Sequence, residues 1–379
     1  MLGALQGLIE WAPLGLPSFL FLITVVVFFH ELGHFSVARY FGVKVETFSI
    51  GFGPEIFGWT DRKGTRWKFS WVPLGGYVKF FGDLDATSRP DRESESKLSA
   101  EERTVTLQAK PVYQRMAISA AGPFANFIFA IVIFTAFFAI YGRTVVPPVV
   151  GAVTQGGAAQ EVGIKPGDVI QSINGEVITD FAQLPQIIQV SAGEDLEITL
   201  LRGSSRLTFH ATPRITKVPD GLGGTSNAPV LGVVLSNKAK PVHVSLNPIQ
   251  AFGDACGQTW GIVTSSLSGF KQMILGRTDS SQLTGTLGMA KVSEKVAEHG
   301  FLALVGLAAL ISVSLGLVNL FPIPVLDGGQ LLYYACEAVL GRPLGERVQE
   351  AGFRFGLVLV IGLMIFSVWN DMVHHLNLF

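Results

Sequence analysis

Two histidines and one glutamate lie within five consecutive residues, HELGH, at positions 30 to 34. On an α-helix His30 and His34 are one turn apart and project from the same face, so both imidazoles can bind one metal ion. Glu31 lies about 100° further round the helix, where it can accept a proton from water without being a ligand. The spacing indicates a zinc site with Glu31 as general base. The alternative without chemistry is a pair of interfacial histidines at a helix end.

Zinc held by two histidines needs a third protein ligand and an open position for water. Asp327 is the candidate, because it ends a long uncharged run in the sequence NLFPIPVLDGG. A carboxylate at that depth is costly unless it is paired or binds metal. Pro322 and Pro324 predict a break in the helix, and Gly328 and Gly329 are expected to permit unusual backbone geometry. A broken helix is tolerated in a membrane where it lines a cavity.

Four uncharged apolar runs surround these motifs, at residues 14–29, 116–141, 300–326 and 355–370. A spanning helix needs about 20 residues, so the second and third runs suffice alone, while the others need their flanks. With 49% hydrophobic and 15% charged residues among 379, the chain is predicted to be a polytopic α-helical membrane protein. The first run lacks a basic leader and a cleavage site, so we expect a retained helix rather than a signal peptide.

The basic residues predict the orientation. Residues 39–115 contain thirteen Lys and Arg, and the link after the third run adds Arg342, Arg347 and Arg354. Such loops face the cytoplasm, so both termini and the segment between spans two and three are expected outside. A net charge of −1 without a dense basic tract argues against nucleic-acid binding. Cys256 and Cys336 lack metal-type spacing and are interpreted as unpaired thiols.

Between the first two spans, short segments punctuated by glycine predict β structure. RWKFSWV and GYVKFF flank a PLGG turn and are expected to form a hairpin. The edge at Gly75, Gly76 and Tyr77 is the candidate for pairing with a substrate strand, and the alternative is a hairpin that merely caps the core. The polar stretch from Asp83 to Arg103 predicts a mobile loop.

Residues 149–213 have a different composition, with short β-branched strands, turns and one helical stretch, FAQLPQIIQV, interrupted by Pro185. A small α+β domain is predicted, and its GIKPGDVIQSINGEVI resembles bacterial PDZ domains. The following segment is amphipathic at helical spacing, which favours a membrane-surface helix and a docking helix equally.

Two amides lie in otherwise apolar helices, Asn319 before the LDGG motif and Asn126 in GPFAN. They could form hydrogen bonds between helices, as is common in membranes. Alternatively, Asn319 could donate to a carbonyl oxygen at the metal or hold a substrate backbone. The two interpretations stay open. The histidines outside HELGH receive no role.

Together, HELGH, GPFAN at 122–126, one PDZ-like segment and NLFPIPVLDGG resemble the bacterial site-2 intramembrane zinc metalloproteases, most closely the regulator of sigma-E protease type in a shorter form with one PDZ domain. The predicted division of the chain follows: a first transmembrane helix with HELGH at 1–41, a cytoplasmic-side β segment and polar loop at 42–112, a second transmembrane helix at 113–142, an extracytoplasmic PDZ-like domain at 148–236, an amphipathic helical linker at 237–299, a third transmembrane segment with NLFPIPVLDGG at 300–337 and a fourth transmembrane helix at 353–374.

The resemblance implies that His30, His34 and Asp327 bind zinc, that Glu31 is the general base, and that the β segment is membrane-associated near the active site. It also implies a bacterial inner-membrane location and substrates that are membrane-spanning segments of anti-sigma factors or remnant signal peptides. Well-known members carry two PDZ domains, and many read LDGGH where this chain has Gln330, which is not expected to affect zinc binding. The alternative function is a non-catalytic membrane scaffold that binds partners through its PDZ domain and holds a structural zinc.

Overall fold

The computed structural model describes residues 2–83, 98–219, 225–276 and 285–375. The chain forms two compact units. The first unit, called the membrane unit here, comprises residues 5–133 and 289–366. The second unit comprises residues 1–4, 134–288 and 367–379. Most of the predicted polar loop falls within residues 84–97, outside the described residues.

The membrane unit is built from long helices and two long strands. Their bounds are α1 Leu2–Tyr40, β1 Val45–Thr60, β2 Arg66–Phe80, α2 Ala100–Thr104, α3 Val112–Tyr141, α7 Thr286–Glu298, α8 Phe301–Asn319, α9 Asp327–Leu340 and α10 Glu346–Asn370. Of these, α1, α3, α7 and α10 extend into the second unit. Within the described part of the chain, four segments are long and apolar enough to cross a membrane: Pro13–Tyr40, Val112–Tyr141, Phe301–Asn319 and Arg347–Val373. The predicted four spans are confirmed, and the chain is a multi-pass membrane protein.

The third apolar run does not continue as one helix. α8 ends at Asn319 and α9 begins at Asp327, so the intervening prolines break the helix as predicted. The expectation for Gly328 and Gly329 was wrong, because both lie within the regular helix α9. Side chains there would collide with the backbone of residues 320–324. The two glycines therefore allow the loop of residues 320–324 to pack closely against α9. Their small size is required there, and their backbone freedom is not.

The two strands form a single twisted ribbon system. Residues 47–50 of β1 pair with two separate parts of β2, residues 76–79 and residues 66–69. The end of β1 also pairs with the start of β2, where Thr60 lies opposite Arg66. The expected hairpin around PLGG is therefore wrong. RWKFSWV and GYVKFF both belong to β2, and each pairs with β1. Because β1 lies between them, the two segments do not pair with each other as a hairpin would.

Small residues let the helices of the membrane unit approach closely. A Cβ on Gly33 of α1 would collide with the carbonyl oxygen of Ala121 on α3, and one on Gly316 of α8 would lie 3.0 Å from the carbonyl oxygen of Pro123. Close backbone approach is a common way for membrane helices to associate. α3 is consequently held between α1 and α8, where it can contribute atoms to any site on α1.

The second unit contains a small α/β domain followed by a long helix. Its remaining elements are β3 Arg143–Val145, β4 Val150–Val153, α4 Ala158–Glu161, β5 Val169–Ile173, β6 Glu176–Val177, α5 Gln183–Val190, β7 Leu196–Arg202, β8 Ser205–Ala211, β9 Arg214–Pro219, β10 Thr225–Val230, β11 Val233–Leu235, β12 Val242–Val244 and α6 Pro248–Ile274. The sheet order β6-β5-β7-β8 carries a core of buried aliphatic residues that includes Ile170, Leu196 and Ile198.

Pro185 does not interrupt the predicted helical stretch. It is the third residue of α5, in the first turn, where backbone N–H groups have no partner within the helix. α6 begins with a capping box between Asn247 and Gln250. One face of α6 packs on α5, where Gln272 Nε2 donates to the carbonyl oxygen of Val190 at 2.7 Å. Another face exposes Ile249, Phe252, Trp260 and Leu267, so it is available to a membrane surface or a partner.

Candidate metal centre

His30 and His34 lie side by side on α1, inside the membrane unit. Their Nε2 atoms are 3.3 Å apart, and the two rings are nearly perpendicular, with an interplanar angle of 83°. The side chains are 9% and 11% exposed, respectively. Two imidazoles buried in an apolar helix are expensive unless they share a ligand.

Asp327 joins this pair as the first residue of α9. Its Oδ2 lies 3.2 Å from Nε2 of His30, and its Oδ1 lies 3.4 Å from Nε2 of His34. The sequence places these groups almost 300 positions apart, and the structure brings all three together. Asp327 reaches the histidines because α9 begins there, directly after the broken segment.

The donor set fits a zinc ion. Tetrahedral ligands at zinc distances of about 2.0–2.1 Å lie roughly 3.3 Å from one another. The two Nε2 atoms are separated by that distance, and one ligand atom from each of the three residues lies within 4.8 Å of the others. Oδ2 of Asp327 is also a buried oxygen without a hydrogen-bond partner. Buried polar atoms are normally satisfied, so an oxygen left open toward two imidazole nitrogens is suited to a cation. Among the described residues, the cluster offers three protein ligands and leaves a position for water.

Each imidazole is also contacted on its far side by α3. Nδ1 of His34 lies 2.8 Å from the carbonyl oxygen of Ile118, which can only accept. Nδ1 therefore carries the proton, and Nε2 presents its lone pair to the metal position. Nδ1 of His30 faces the side chain of Asn126, whose Nδ2 lies 3.3 Å away.

Glu31 lies beside the β ribbon and close enough to His34, His30 and Asp327 to interact with them electrostatically. Its carboxylate accepts a hydrogen bond from the backbone N–H of Val78. A Cβ built on Gly76 would lie 3.6 Å from Cγ of Glu31 and only 2.6 Å from the carbonyl oxygen of Ser49. Because residue 76 has no side chain, β2 can lie close to β1 at Ser49, and residue 76 lies beside Glu31.

Sequence reasoning named the GPFAN motif but missed the role of its glycine. A Cβ on Gly122 would collide with Nε2 and Cε1 of His34 and would lie 2.8 Å from Cε1 of His30. Gly122 therefore provides the space for both rings. The sequence feature that could have indicated this role is the position of Gly122, seven residues after Arg115 and four before Asn126, on the same face of α3.

The remaining candidate residues occupy distinct places. Asn126 is fully buried beside His30, while Asn319 is half-buried at the last position of α8. Gly75 adopts a φ of +105°, a conformation that favours glycine, at the bend of β2. Tyr77 stacks on Phe52, with ring centroids 5.9 Å apart.

The chain was compared with known proteins. The sequence profile of peptidase family M50 matches residues 18–363. A protein of Agrobacterium fabrum named "Putative zinc metalloprotease Atu1380" is 42% identical over 93% of this chain and 94% of its own length. "Metalloprotease MmpA" of Caulobacter vibrioides is 36% identical over 94% of this chain and 95% of its own. With the His30, His34 and Asp327 cluster inside the matched region, the chain belongs to peptidase family M50 and is a zinc metalloprotease.

Proposed function

We propose that this metalloprotease cleaves peptide bonds inside the membrane-spanning segments of other proteins. The observation that carries the proposal is the position of the His30, His34 and Asp327 cluster, whose histidines lie on a spanning helix. A protease built for soluble peptides has no reason to bury its metal ligands at that depth.

His30, His34 and Asp327 would hold the zinc ion, and Glu31 would act as general base. Zinc bound there supplies Lewis acidity, which lowers the pKa of water toward neutrality and polarises a peptide carbonyl. Glu31 is on the adjoining face of α1 and is not a ligand. Its carboxylate accepts the proton of the attacking water and passes it to the leaving amine. The hydrogen bond from the Val78 backbone orients the carboxylate for this transfer.

The substrate must be unwound before it can react, because a helix shields its peptide bonds with its own hydrogen bonds and side chains. Residues 76–80 of β2 pair with β1 on one side. The part of β2 from Pro73 to Gly76 runs beside α1, because Thr24 Oγ1 donates to the Pro73 carbonyl oxygen at 3.1 Å and Gly76 lies beside Glu31. An extended substrate added to this edge would receive replacement hydrogen bonds next to the general base. Gly75, Gly76 and Tyr77 would form the contact, and Asn319 and Asn126 would support the substrate or the ligands.

We infer that the natural substrates are anti-sigma factors or remnant signal peptides in the inner membrane of a bacterium, with both termini and the PDZ-like domain outside and the active site toward the cytoplasm. The family resemblance and the basic residues of the connecting loops support this arrangement. The PDZ-like domain would either bind a newly exposed substrate terminus or exclude bulky extramembrane domains. Deleting residues 149–213 separates these roles, because unchanged discrimination against an intact precursor would reject the size filter.

The decisive experiment is Glu31→Gln in purified protein, with zinc content and cleavage of a membrane-segment reporter measured together. We expect stoichiometric zinc with cleavage reduced by at least 10²-fold, since general-base catalysis contributes about 10²–10⁴. Full cleavage activity in this variant would refute the proposed base. His34→Ala is the companion variant and should lose both zinc and activity.

A further inference from the structure

A second polar contact region joins α3 and α9, about three turns of α9 away from the metal ligands. Arg115 on α3 donates from Nη1 to Oε2 of Glu337 at 3.0 Å and from Nη2 to Oε1 at 2.6 Å. Nε of Arg115 donates to the carbonyl oxygen of Lys110 at 3.0 Å, and the guanidinium lies 4.9 Å from the centre of the Tyr334 ring. The charged side chains are only 9% and 12% exposed.

The ion pair between Arg115 and Glu337 lies on the faces of α3 and α9 that also contact the metal-site residues. Gln330 lies between Asp327 and Glu337 on α9, and its Oε1 accepts a hydrogen bond from Ser119 Oγ at 3.1 Å. On α9, Asp327, Gln330, Tyr334 and Glu337 follow one another at intervals of three, four and three positions. Their partners on α3 continue from Arg115 and Ser119 to Gly122, which lies beside the histidines. Such spacing places all of them along one line of contact between two helices.

The loop before Asp327 packs against the first turn of α9, but it is not a continuation of α8, so contacts further along α9 are needed to fix this helix on α3. α8 ends eight positions earlier, and two prolines interrupt the connection, so α8 cannot transmit its own position to Asp327 through a continuous helix. α9 has 14 residues, and sliding it by one residue along α3 would displace Asp327 by about 1.5 Å. A shift of that size would break a coordination geometry whose tolerance is a few tenths of an ångström.

A buried ion pair is also a poor way to gain stability. Desolvation of two charges offsets most of their attraction, and apolar residues of similar volume often stabilise a protein equally well. A bidentate guanidinium–carboxylate pair nevertheless accepts only one relative position of its helices. The pair is therefore suited to define helix register.

We propose that Arg115 and Glu337 are positioning residues that set the register of α9 on α3 and thereby hold Asp327 opposite His30 and His34. Glu337 lies ten residues, or about 15 Å, from Asp327 along α9, so neither member of the pair touches the reacting atoms. The inference rests on the proposed ligand set, and it concerns metal binding, whatever the substrate.

The test is the zinc affinity and the cobalt absorption spectrum of Glu337→Gln, which keeps the shape of the side chain and removes its charge. We expect zinc affinity, measured by competition with a chelator, to fall about 10- to 100-fold, the usual effect of losing an outer support of a metal site. Bound Co²⁺ should show altered visible absorption, since its intensity reports ligand geometry. Glu350→Gln is the matched control, because Glu350 pairs with Arg354 at 2.7 Å on the exposed surface of α10.

Wild-type zinc affinity and a wild-type cobalt spectrum in folded Glu337→Gln would overturn the inference, even if its melting temperature were lower. If that variant cannot be purified, Arg115→Lys keeps the positive charge and loses the two-pronged contact. It should bind zinc several-fold more weakly, and unchanged affinity would overturn the inference equally. Asp327→Asn separates the role of the ion pair from the proposed ligand set, because a normal cobalt spectrum in that variant would reject the ligand set itself.

Discussion

Gly122 lies directly against the imidazole of His34, with no room between them for even a methyl group. The helix α3 thus supplies an empty position, and both histidine rings occupy the space that a side chain would take. This contact makes the metal site depend on a residue with no side-chain chemistry of its own.

Gly122→Ala should therefore abolish zinc binding. The added Cβ would overlap with the His34 ring and force either the ring or the helix α3 to move, and overpacking of this kind typically costs about 1–3 kcal/mol. We expect a loss of bound zinc of more than tenfold, measured by metal analysis of purified protein. Gly362→Ala is the control within another spanning helix, because a Cβ there meets open space. Full zinc occupancy in Gly122→Ala would contradict the described packing.

Asn126 should support zinc binding through His30. For Nε2 of His30 to bind metal, Nδ1 must carry the proton and face an acceptor. Nδ2 of Asn126 is the atom now nearest to Nδ1, while its Oδ1 is buried without a hydrogen-bond partner. Turning the amide by 180° exchanges these atoms at little steric cost. We expect Asn126→Leu to weaken zinc binding about 10- to 100-fold and Asn126→Asp to retain it.

The measurement for Asn126 is zinc affinity by chelator competition, and equal affinity of the leucine and aspartate variants would reject a role for the oxygen. Ser312→Ala is the companion change. Ser312 Oγ donates to the backbone carbonyl oxygen of Asn126 at 2.9 Å, so its loss removes a contact between helices and leaves the amide in place. It should lower thermal stability without changing zinc affinity.

Gly76→Val should reduce cleavage while leaving zinc bound. A side chain at residue 76 would collide with the carbonyl oxygen of Ser49 on β1 and so displace β2, whose residue 76 lies beside Glu31. None of the three proposed metal ligands lies on β2, so metal analysis should show wild-type zinc content. We expect turnover of a membrane-segment reporter to fall at least tenfold, because a displacement of about 1 Å at a reacting group can cost 10²-fold. Unchanged turnover would argue that the β ribbon only covers the core.

The small α/β domain should lose stability in acid through Asp168. Burial opposes ionisation of this carboxyl, but hydrogen bonds from Arg202 and from the Lys165 backbone outweigh it and lower the pKa of Asp168 below its usual value. A carboxyl with a lowered folded-state pKa stabilises the fold above its unfolded pKa of about 3.9, and this stabilisation is lost as the pH falls. The protection of β5 and β7 amides against hydrogen exchange in the full-length protein, relative to the intrinsic exchange rate at each pH, should therefore decrease as the pH falls below about 4.

Asp168→Asn should remove most of this pH dependence and destabilise the domain at neutral pH by about 1–3 kcal/mol, because Arg202 loses its charged partner. The control is Asp195→Asn. Asp195 pairs with His210, but both side chains are more than half exposed, so the change should alter exchange little. Equal acid sensitivity of Asp168→Asn and the wild-type protein would assign the pH dependence to another group.

The local chemistry could be predicted because its determinants are close together in the sequence. The spacing of His30 and His34 fixes their common helix face, the apolar runs fix four spans, and Pro322 and Pro324 end a helix wherever they occur. Asp327 could be named as a ligand only through the cost of a carboxylate in an apolar run. Its separations from the two histidines came from the structure.

What the sequence could not determine are the contacts between distant segments. RWKFSWV and GYVKFF alternate as a hairpin would, yet β1 lies between them, because the pairing of strands depends on how the ribbon bends and not on alternation. The empty position at Gly122 and the ion pair between Arg115 and Glu337 likewise exist only where α3 meets α1 and α9. Residue type and spacing determined which groups can bind zinc in this protein. Helix packing alone decided that they meet, because a ligand geometry with a tolerance of tenths of an ångström depends on the relative position of several chain segments at once.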